Sequence, residues 1–316
     1  MSWVPVVDLS APDAARRVAD ACTHVGFLTV VGHGVPAEVT DAAWATARQF
    51  FDLPLGERMA VAMPYAGYPY GYSPLAGETL ARSLGDDGGL MGSPGDLKQS
   101  FAIGPVDPPT HTITDPDEQF AWSTNLWPAA LPELRPAWER YFRELSGLAG
   151  RLLATMAVGL GLDEQWFAPL IDRHTSALRA LDYPPRADVQ PGQCGASAHT
   201  DYGTLTILLA DPKEPGLQVQ AADGSWHDAM PAPGSFVVNL GDAMARWTND
   251  RWRSTMHRVL VPAGRRQSIA FFHNANWDAV IECLPTCLAP GEQPRYAPIA
   301  AGPHLMQKFQ ATVNTY

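Results

Sequence analysis

Cysteine is scarce in this sequence, which has only four in 316 residues: Cys22, Cys194, Cys283 and Cys287. Small secreted domains that depend on disulfides carry more cysteines at regular spacings, so a disulfide framework is excluded. The C-x-x-x-C spacing of the last two is not a usual zinc-knuckle spacing either. We therefore predict reduced, structural thiols.

Positive charge is also in short supply, with 22 Lys and Arg against 33 Asp and Glu and a net charge of −11. Binding to nucleic acid requires a surplus of basic residues, so no nucleic-acid partner is expected. The sequence lacks an apolar run near the ~20 residues of a membrane span. It also lacks a basic N-terminal region followed by an apolar stretch. We predict a cytoplasmic protein with no membrane partner.

The N-terminal part of the chain mixes short strands and helices. The pattern predicts a strand at 4–9, a helix that ends near Gly26, and an apolar strand in "GFLTVVGHG". A second helix is predicted from about 36 to 51 by its apolar periodicity. Residues 64–120 are rich in Tyr, Pro and Gly and are predicted to be irregular, and a loop of that length is usually functional. This part of the chain is a mixed α/β region.

The remainder divides into a helical segment and a β-rich segment. Apolar residues recur at three- and four-residue steps from Leu134 to Leu160, which predicts a long helix. After His174 the period changes to two, and many short strands between turns favour a β-sandwich or a closed barrel. The predicted regions are 1–120 (α/β with a substrate loop), 121–173 (helical), 174–280 (β core) and 281–316 (a candidate lid).

A candidate metal site begins in "ASAHTDYGTLTILL", where His199 and Asp201 stand two residues apart just before a strand. Side chains two apart on an extended segment share a face, and His257 offers a third donor at another strand start. Two histidines and a carboxylate form the facial triad of non-haem Fe(II) oxygenases. The His-x-Asp pair alone more often marks a surface turn or a satisfied core hydrogen bond than a metal site.

A candidate anion site lies further along, in "RRQSIAFF", where Arg266 and Ser268 share a face of an interior strand. A buried guanidinium is very unfavourable without an anion, and its planar fork suits a carboxylate. The partner is either a carboxylate of the protein, such as Asp242, or a ligand carboxylate.

With these residues, the sequence resembles the isopenicillin N synthase-like family of iron(II)/2-oxoglutarate-dependent dioxygenases. The resemblance extends in order through "VPVVDLS", "GFLTVVGHGVP", "FFDLP", "DLKQSFAIG", "LDYPP" and "NLGDAMARWTNDRWRSTMHRV". It implies a mixed α/β, β-rich fold with a double-stranded β-helix (jelly roll) core flanked by helices. Residues 1–120 then correspond to the N-terminal dioxygenase region, and 174–280 to the Fe(II)/2-oxoglutarate core.

The resemblance also implies the cofactors and their residues. His199, Asp201 and His257 would hold Fe(II), while Arg266, Ser268 and Tyr183 would bind the distal carboxylate of the co-substrate 2-oxoglutarate. The implied reaction uses O2, releases succinate and CO2, and oxidises a small organic molecule of secondary metabolism by hydroxylation, desaturation or cyclisation.

Residues for the prime substrate follow from strand periodicity and from the tyrosine-rich loop. Arg179 shares a face with Tyr183, and Phe272 and Asn274 extend the face of Arg266, so all three should look into the pocket. Tyr70, Tyr72 and Phe101 could close over the substrate, although aromatic residues also fill cores. We expect a mid-sized substrate with a polar or anionic group facing Arg179.

Three alternatives remain open on the sequence. A related Fe(II) oxidase could use Arg266 and Ser268 for the carboxylate of its own substrate and need no 2-oxoglutarate. A zinc hydrolase could use the same three donors, which also suit Zn²⁺. A non-catalytic jelly roll could bind a small molecule in the same interior.

Overall fold

A computed structural model of the chain describes residues 3–65, 67–75, 95–190 and 192–313, with side chains up to Gln310. The helices of the described residues are α1 (Ala14–His24), α2 (Ala37–Asp52), α3 (Leu55–Met59), α4 (Pro116–Ala121), α5 (Leu134–Gly159), α6 (Ala168–Ile171), α7 (Asp242–Trp247) and α8 (Ala301–Val313). None of these helices is both long and apolar enough to cross a membrane.

The strands are short, as the turn spacing predicts. They are β1 (Val6–Asp8), β2 (Phe27–Val31), β3 (Gly71–Ser73), β4 (Gln99–Ile103), β5 (Ala177–Tyr183), β6 (Ala196–His199), β7 (Leu205–Ala210), β8 (Leu217–Gln220), β9 (Trp226–Asp228), β10 (Phe236–Leu240), β11 (His257–Val259), β12 (Arg266–His273), β13 (Val280–Ile281) and β14 (Ile299–Ala300).

Two sheets form the β core. The larger has the order β1-β2-β10-β7-β12-β5-β4-β3, and the smaller has the order β6-β11-β8-β9. Every pairing in them is antiparallel except that of β1 with β2. Apolar side chains of both sheets, such as Leu181 and Val237 from the larger and Val219 and Val259 from the smaller, pack in one cluster. This arrangement is the expected double-stranded β-helix, and the fold prediction is confirmed.

The outer face of the larger sheet is covered by helices. The predicted long helix is α5, which packs against α1, α2, β7 and β12. Its stripe of large apolar residues, including Trp138, Leu145 and Leu152, is completely buried. Burial of this face fixes the helices on the sheet and leaves the inner face free to line a cavity.

The segment predicted to be irregular, 64–120, contains more regular structure than its composition indicates. It holds β3 and β4, which extend the larger sheet beyond β5, and α4 near its end. Residues 76–94 of the predicted substrate loop lie outside the described residues. The strands were missed because each is only three to five residues long and is completed by pairing with a neighbour, and strand propensity depends strongly on that context. Through β1–β4, the N-terminal region shares one sheet with the β core.

All four cysteines are free thiols. Cys22 is completely buried in the main apolar cluster, where burial raises the pKa of its thiol. Cys287 is also buried, whereas Cys194 and Cys283 are partly exposed.

Candidate functional site

The two histidines of the predicted triad lie on neighbouring strands of the smaller sheet. His257 on β11 is the direct register partner of His199 on β6, so both side chains leave the sheet on the same face, with ring centroids 4.3 Å apart. Asp201 follows β6 and places Oδ1 3.9 Å from His199 Nε2 and 3.8 Å from His257 Nε2. Among the described residues, this is the only cluster of three or more His, Cys, Asp or Glu side chains that could hold a metal ion.

Hydrogen bonds orient all three side chains toward one point. His199 Nδ1 lies 2.7 Å from Ser197 O, and His257 Nδ1 lies 3.0 Å from Thr255 O. A carbonyl oxygen can only accept, so each Nδ1 carries the proton and each Nε2 keeps its lone pair for a metal. Asp201 Oδ2 accepts from Thr206 Oγ1 at 2.6 Å and from Asn239 Nδ2 at 2.7 Å. Oδ1 is thereby left facing the histidines, and the donor set fits one divalent ion.

The electrostatics of the cluster suit a cation. Burial, and then the neighbouring His257, lower the pKa of His199 to about 4. Burial works to raise the pKa of Asp201, but the two histidines and the hydrogen bonds from Asn239 and Thr206 outweigh it, and the pKa lies below its usual value. At neutral pH, His199 is therefore uncharged and Asp201 is ionised, as metal binding requires.

A buried ion pair fastens strand β6 just before the first ligand. Asp96 Oδ1 accepts from Ser197 N at 2.9 Å and from Ser197 Oγ at 2.6 Å. Its Oδ2 lies 3.1 Å from Lys98 Nζ, and both side chains are buried. Ser197 O is the acceptor for His199, so this contact positions the backbone that orients the ligand.

The predicted anion site faces the same interior. Arg266 begins β12 opposite Tyr183 on β5, is 2% exposed, and lies with its guanidinium carbon 4.9 Å from the centre of the tyrosine ring. Its Nη1 reaches Ser268 Oγ at 3.4 Å, and its Nε has no hydrogen-bond partner. Among the described residues, no carboxylate pairs with it.

Asp242, the alternative protein partner considered for Arg266, is occupied elsewhere. Its carboxylate accepts from Ser254 Oγ at 2.6 Å and pairs with Lys308 Nζ at 2.7 Å. A buried guanidinium without a protein anion has a strong requirement for an external one. Arg266, Ser268 and Tyr183 therefore fit a ligand carboxylate.

One cavity of about 250 Å³ connects these groups. It is lined by the triad, by Arg266, Ser268 and Tyr183, and by four of the six residues predicted to face the substrate, Arg179, Phe272, Asn274 and Tyr70. The sheet register therefore brings together residues that lie far apart in the sequence.

Tyr72 and Phe101 do not line the cavity, and their predicted role is wrong. Both are buried in the main apolar cluster, where each packs against Phe50. Phe101 leaves β4 on the face opposite to Lys98, which does line the cavity. Gly71, at φ +102°, breaks the regular extension between Tyr70 and Tyr72, so alternation fails there.

Sequence reasoning missed several residues of the site. Asn239 was not assigned to the site, yet its side chain donates a hydrogen bond to Asp201 Oδ2. Lys98 was not singled out, although the resemblance of "DLKQSFAIG" pointed to its segment. Helix α8 closes one side of the cavity with Leu305, Met306 and Phe309. The apolar spacing of these three was the available signal, since they recur on one helix face.

Comparison with known proteins identifies the family. A model of the 2OG-Fe(II) oxygenase superfamily matches residues 174–275, and a model described as the N-terminal region of non-haem dioxygenase in morphine synthesis matches 4–130. The 2-oxoglutarate-Fe(II) type oxidoreductase hxnY of Emericella nidulans is 36% identical over 291 residues, which cover 90% of this chain and 80% of that protein. The chain belongs to the 2OG-Fe(II) oxygenase superfamily.

Solved structures agree with this membership of the superfamily. A full-length Neurospora crassa protein in complex with alpha-KG (2-oxoglutarate) is 30% identical with a TM-score of 0.84, covering 98% of this chain and 96% of that one. The complex of the same protein with alpha-KG and thymine is 29% identical with a TM-score of 0.83, covering 98% and 97%. The predicted family is confirmed.

As a 2OG-Fe(II) oxygenase, the protein is a 2-oxoglutarate- and Fe(II)-dependent dioxygenase that uses O2 and releases succinate and CO2. These findings favour it over the 2-oxoglutarate-independent oxidase. They also favour it over a zinc hydrolase or a non-catalytic jelly roll, because the relatives are oxidoreductases. Relatives of this chain bind small molecules in their structures.

Proposed function

We propose that His199, Asp201 and His257 hold the Fe(II) of this dioxygenase. The support is the convergence of His199 Nε2, His257 Nε2 and Asp201 Oδ1 in a site where both Nδ1 atoms and Asp201 Oδ2 are already engaged. Three protein ligands would leave part of the coordination sphere of the ion open to the co-substrate and O2. When bound, the ion supplies the O2 chemistry that couples decarboxylation of 2-oxoglutarate to substrate oxidation.

Arg266, Ser268 and Tyr183 bind the distal carboxylate of 2-oxoglutarate in this proposal. The observation that carries it is the buried Arg266 guanidinium, which has no carboxylate partner among the described residues. Ser268 Oγ adds a donor beside it, and the Tyr183 ring packs against it and excludes water. These three residues would orient 2-oxoglutarate by holding the carboxylate that lies farther from the metal.

The prime substrate is a mid-sized organic molecule with an anionic or polar group directed to Arg179. Arg179 lies four residues before Tyr183 on β5, roughly 13 Å along the strand at about 3.3 Å per residue. Arg266, assigned to 2-oxoglutarate, is the register partner of Tyr183. Arg179, assigned to the substrate, is therefore well separated from it. Among the described residues that line the cavity, the only acidic one is the proposed ligand Asp201. A cavity this poor in carboxylates favours an anionic substrate over a cationic one.

The reaction is the oxidation of a C–H bond of that substrate, by hydroxylation, desaturation or cyclisation, in secondary metabolism and in the cytoplasm. Apolar groups such as Phe272, Leu208 and Phe309 line the cavity and exclude water from the reacting bond. The segment 281–316 acts as a lid through α8. Four free cysteines are consistent with a reducing compartment.

The test is a titration of 2-oxoglutarate into the anaerobic Fe(II) protein, followed by the metal-to-ligand charge-transfer band. Arg266→Gln should weaken the binding of 2-oxoglutarate by about 2–5 kcal/mol, the cost of losing one buried charge pair. This corresponds to a loss of affinity of roughly 30- to several-thousand-fold. Arg265→Gln is the matched control, because Arg265 is adjacent in sequence and instead pairs with Asp182 and Asp52. Equal effects of the two variants, or no saturable binding by the wild type, would contradict the proposal.

A further inference from the structure

Asp242, at the start of α7, contacts both segments that carry the metal ligands. Its backbone N–H donates to Asp201 O at 2.8 Å, and its Oδ2 accepts from Thr200 Oγ1 at 3.4 Å. Its Oδ1 accepts from Ser254 Oγ at 2.6 Å, in the loop that leads to His257. One carboxylate therefore joins the His199–Asp201 segment to the loop before the third ligand.

The same carboxylate also contacts the helix that covers the cavity. Lys308 on α8 places Nζ 2.7 Å from Asp242 Oδ2. Lys308 lies on a different face of α8 from the residues that line the main cavity. Together with His304 one turn earlier, it lines a second cavity of about 550 Å³ on the other side of Thr200. Helix α8 thus forms part of the partition between two cavities.

Other contacts of α8 include backbone hydrogen bonds at its start and apolar contacts further along. Ala301 N donates to Ala279 O at 2.8 Å, and Gly302 N donates to Trp277 O at 2.9 Å. Met306 packs in a small apolar cluster with Trp277, and the Phe309 ring lies 5.1 Å from that of Phe120. The bond to Asp242 adds an ionic contact in the later half of the helix.

We propose that Asp242 is a positioning residue that couples the docking of α8 over the cavity to the geometry of the metal-ligand segments, with Lys308 as its contact on the helix. Release of Lys308 loosens α8 and, through Thr200, Ser254 and the Asp242 backbone, relaxes the segments that hold the ligands. This inference rests on the proposed metal site, because metal affinity is the quantity that reports the coupling between α8 and the ligand segments. Asp242 acts through other residues and touches no reacting atom.

The test compares variants by amide hydrogen exchange and by anaerobic Co(II) titration, with Co(II) replacing Fe(II) as a visible spectroscopic probe. Lys308→Met removes the charge and keeps the apolar stem, and Lys308→Arg keeps the ion pair. Gln307→Met is the matched control, since it adds the same side chain at the neighbouring exposed position of α8. Asp242→Asn keeps the size of the side chain and removes its charge.

Lys308→Met should speed amide exchange in α8 and in the peptides that contain residues 200–206 and 252–257, by about tenfold for a locally opened segment. It should weaken Co(II) binding roughly 3- to 10-fold, less than the 10- to 100-fold typical when a direct hydrogen-bond partner of a ligand is lost. Asp242→Asn should change the same two readouts by more. Lys308→Arg and Gln307→Met should match the wild type.

Faster exchange confined to α8, with unchanged Co(II) affinity and spectrum, would overturn the coupling, because the helix would then move independently of the ligands. No change in either readout for Lys308→Met would overturn it as well. Because Lys308 is partly exposed, this variant should fold even if Asp242→Asn does not. Absence of saturable Co(II) binding in the wild type would contradict the proposed metal site itself and is recognisable without any variant.

Discussion

Asn239 donates its side-chain N–H to Asp201 Oδ2 over 2.7 Å, and both residues are buried. Asn239 lies on β10 of the larger sheet, whereas Asp201 follows a strand of the smaller one. The bond therefore ties the proposed carboxylate ligand to the opposite sheet and leaves its Oδ1 directed at the histidines.

Removal of this bond should weaken metal binding without removing a ligand. We expect Asn239→Ala to lower Fe(II) affinity by about 10- to 100-fold, as for other hydrogen-bond partners of metal ligands. The measurement is an anaerobic Fe(II) or Co(II) titration, with the free energy of unfolding of the metal-free protein as the control for general damage. An affinity within twofold of the wild type would show that Thr206 alone suffices to orient Asp201.

Metal binding should stabilise the fold, because the unfolded chain has no assembled site. At a free metal concentration of 100 times Kd, the unfolding free energy should rise by about 2.7 kcal/mol, and EDTA should reverse the gain. His199→Ala, Asp201→Ala and His257→Ala should each abolish both the shift and turnover, since a triad has no spare ligand. Thermal melts with and without metal measure this, and near-normal turnover in two of the three variants would refute the ligand assignment.

Arg179 should determine the affinity for the prime substrate and should have no effect on the affinity for 2-oxoglutarate. With 2-oxoglutarate saturating, Arg179→Ala should raise the KM of a substrate found by screening by roughly 10- to 100-fold, as expected for one charge-assisted hydrogen bond. The comparison is most informative with paired carboxylated and neutral analogues, because only the carboxylated member should lose affinity. Equal losses for both members would indicate that Arg179 shapes the cavity and does not recognise charge.

Two histidines outside the cavity, the partly buried His174 and the completely buried His273, should make stability depend on pH. Burial lowers the pKa of His174 from 6.5 to about 4, and burial together with His174 lowers the pKa of His273 well below 6.5. The two rings lie 5.0 Å apart. Between pH 6.5 and about 4, the unfolded chain binds protons that the folded chain excludes. The contribution of these histidines to the unfolding free energy is therefore complete above pH 6.5 and is lost as the pH falls from 6.5 to about 4.

His174→Gln should remove the part of this dependence that belongs to His174. The loss of unfolding free energy between about pH 6.5 and pH 5 should shrink by about 1.5 kcal/mol relative to the wild type. Urea denaturation of the metal-free proteins at the two pH values provides the measurement. Parallel losses in the two proteins would mean that His174 titrates normally in the folded state.

Local pattern in the sequence was enough for much of the fold. The apolar repeat from Leu134 to Leu160 predicted α5 to within a residue or two, because a helix buries one stripe whatever it packs on. The His-x-Asp pair and the Arg-x-Ser pair could be assigned to shared faces, because alternation is a local property of extended chain. Residue chemistry then made a metal and an anion the candidate partners of these faces.

The same local rules failed where a face is defined only by distant pairing. Phe101 and Tyr72 are aromatic in a region expected to contact substrate, but the side of β4 that becomes interior depends on its pairing with β5 and on Phe50 of α2. The side chain of Asn239 contacts Asp201 only because β10 pairs with β7. Neither relationship has a spacing that a linear pattern could reveal.

By itself, the sequence determined which groups are available and in what order: three metal donors, a buried arginine beside a serine, and a β-rich core after a long helix. Only the tertiary structure decided which of them meet. His199 and His257 become neighbours through strand register, Asn239 reaches Asp201 from the opposite sheet, and α8 reaches Asp242 from the end of the chain. The physical reason is that periodicity fixes the face of a side chain locally, whereas its partner is set by the packing of elements far apart in the chain.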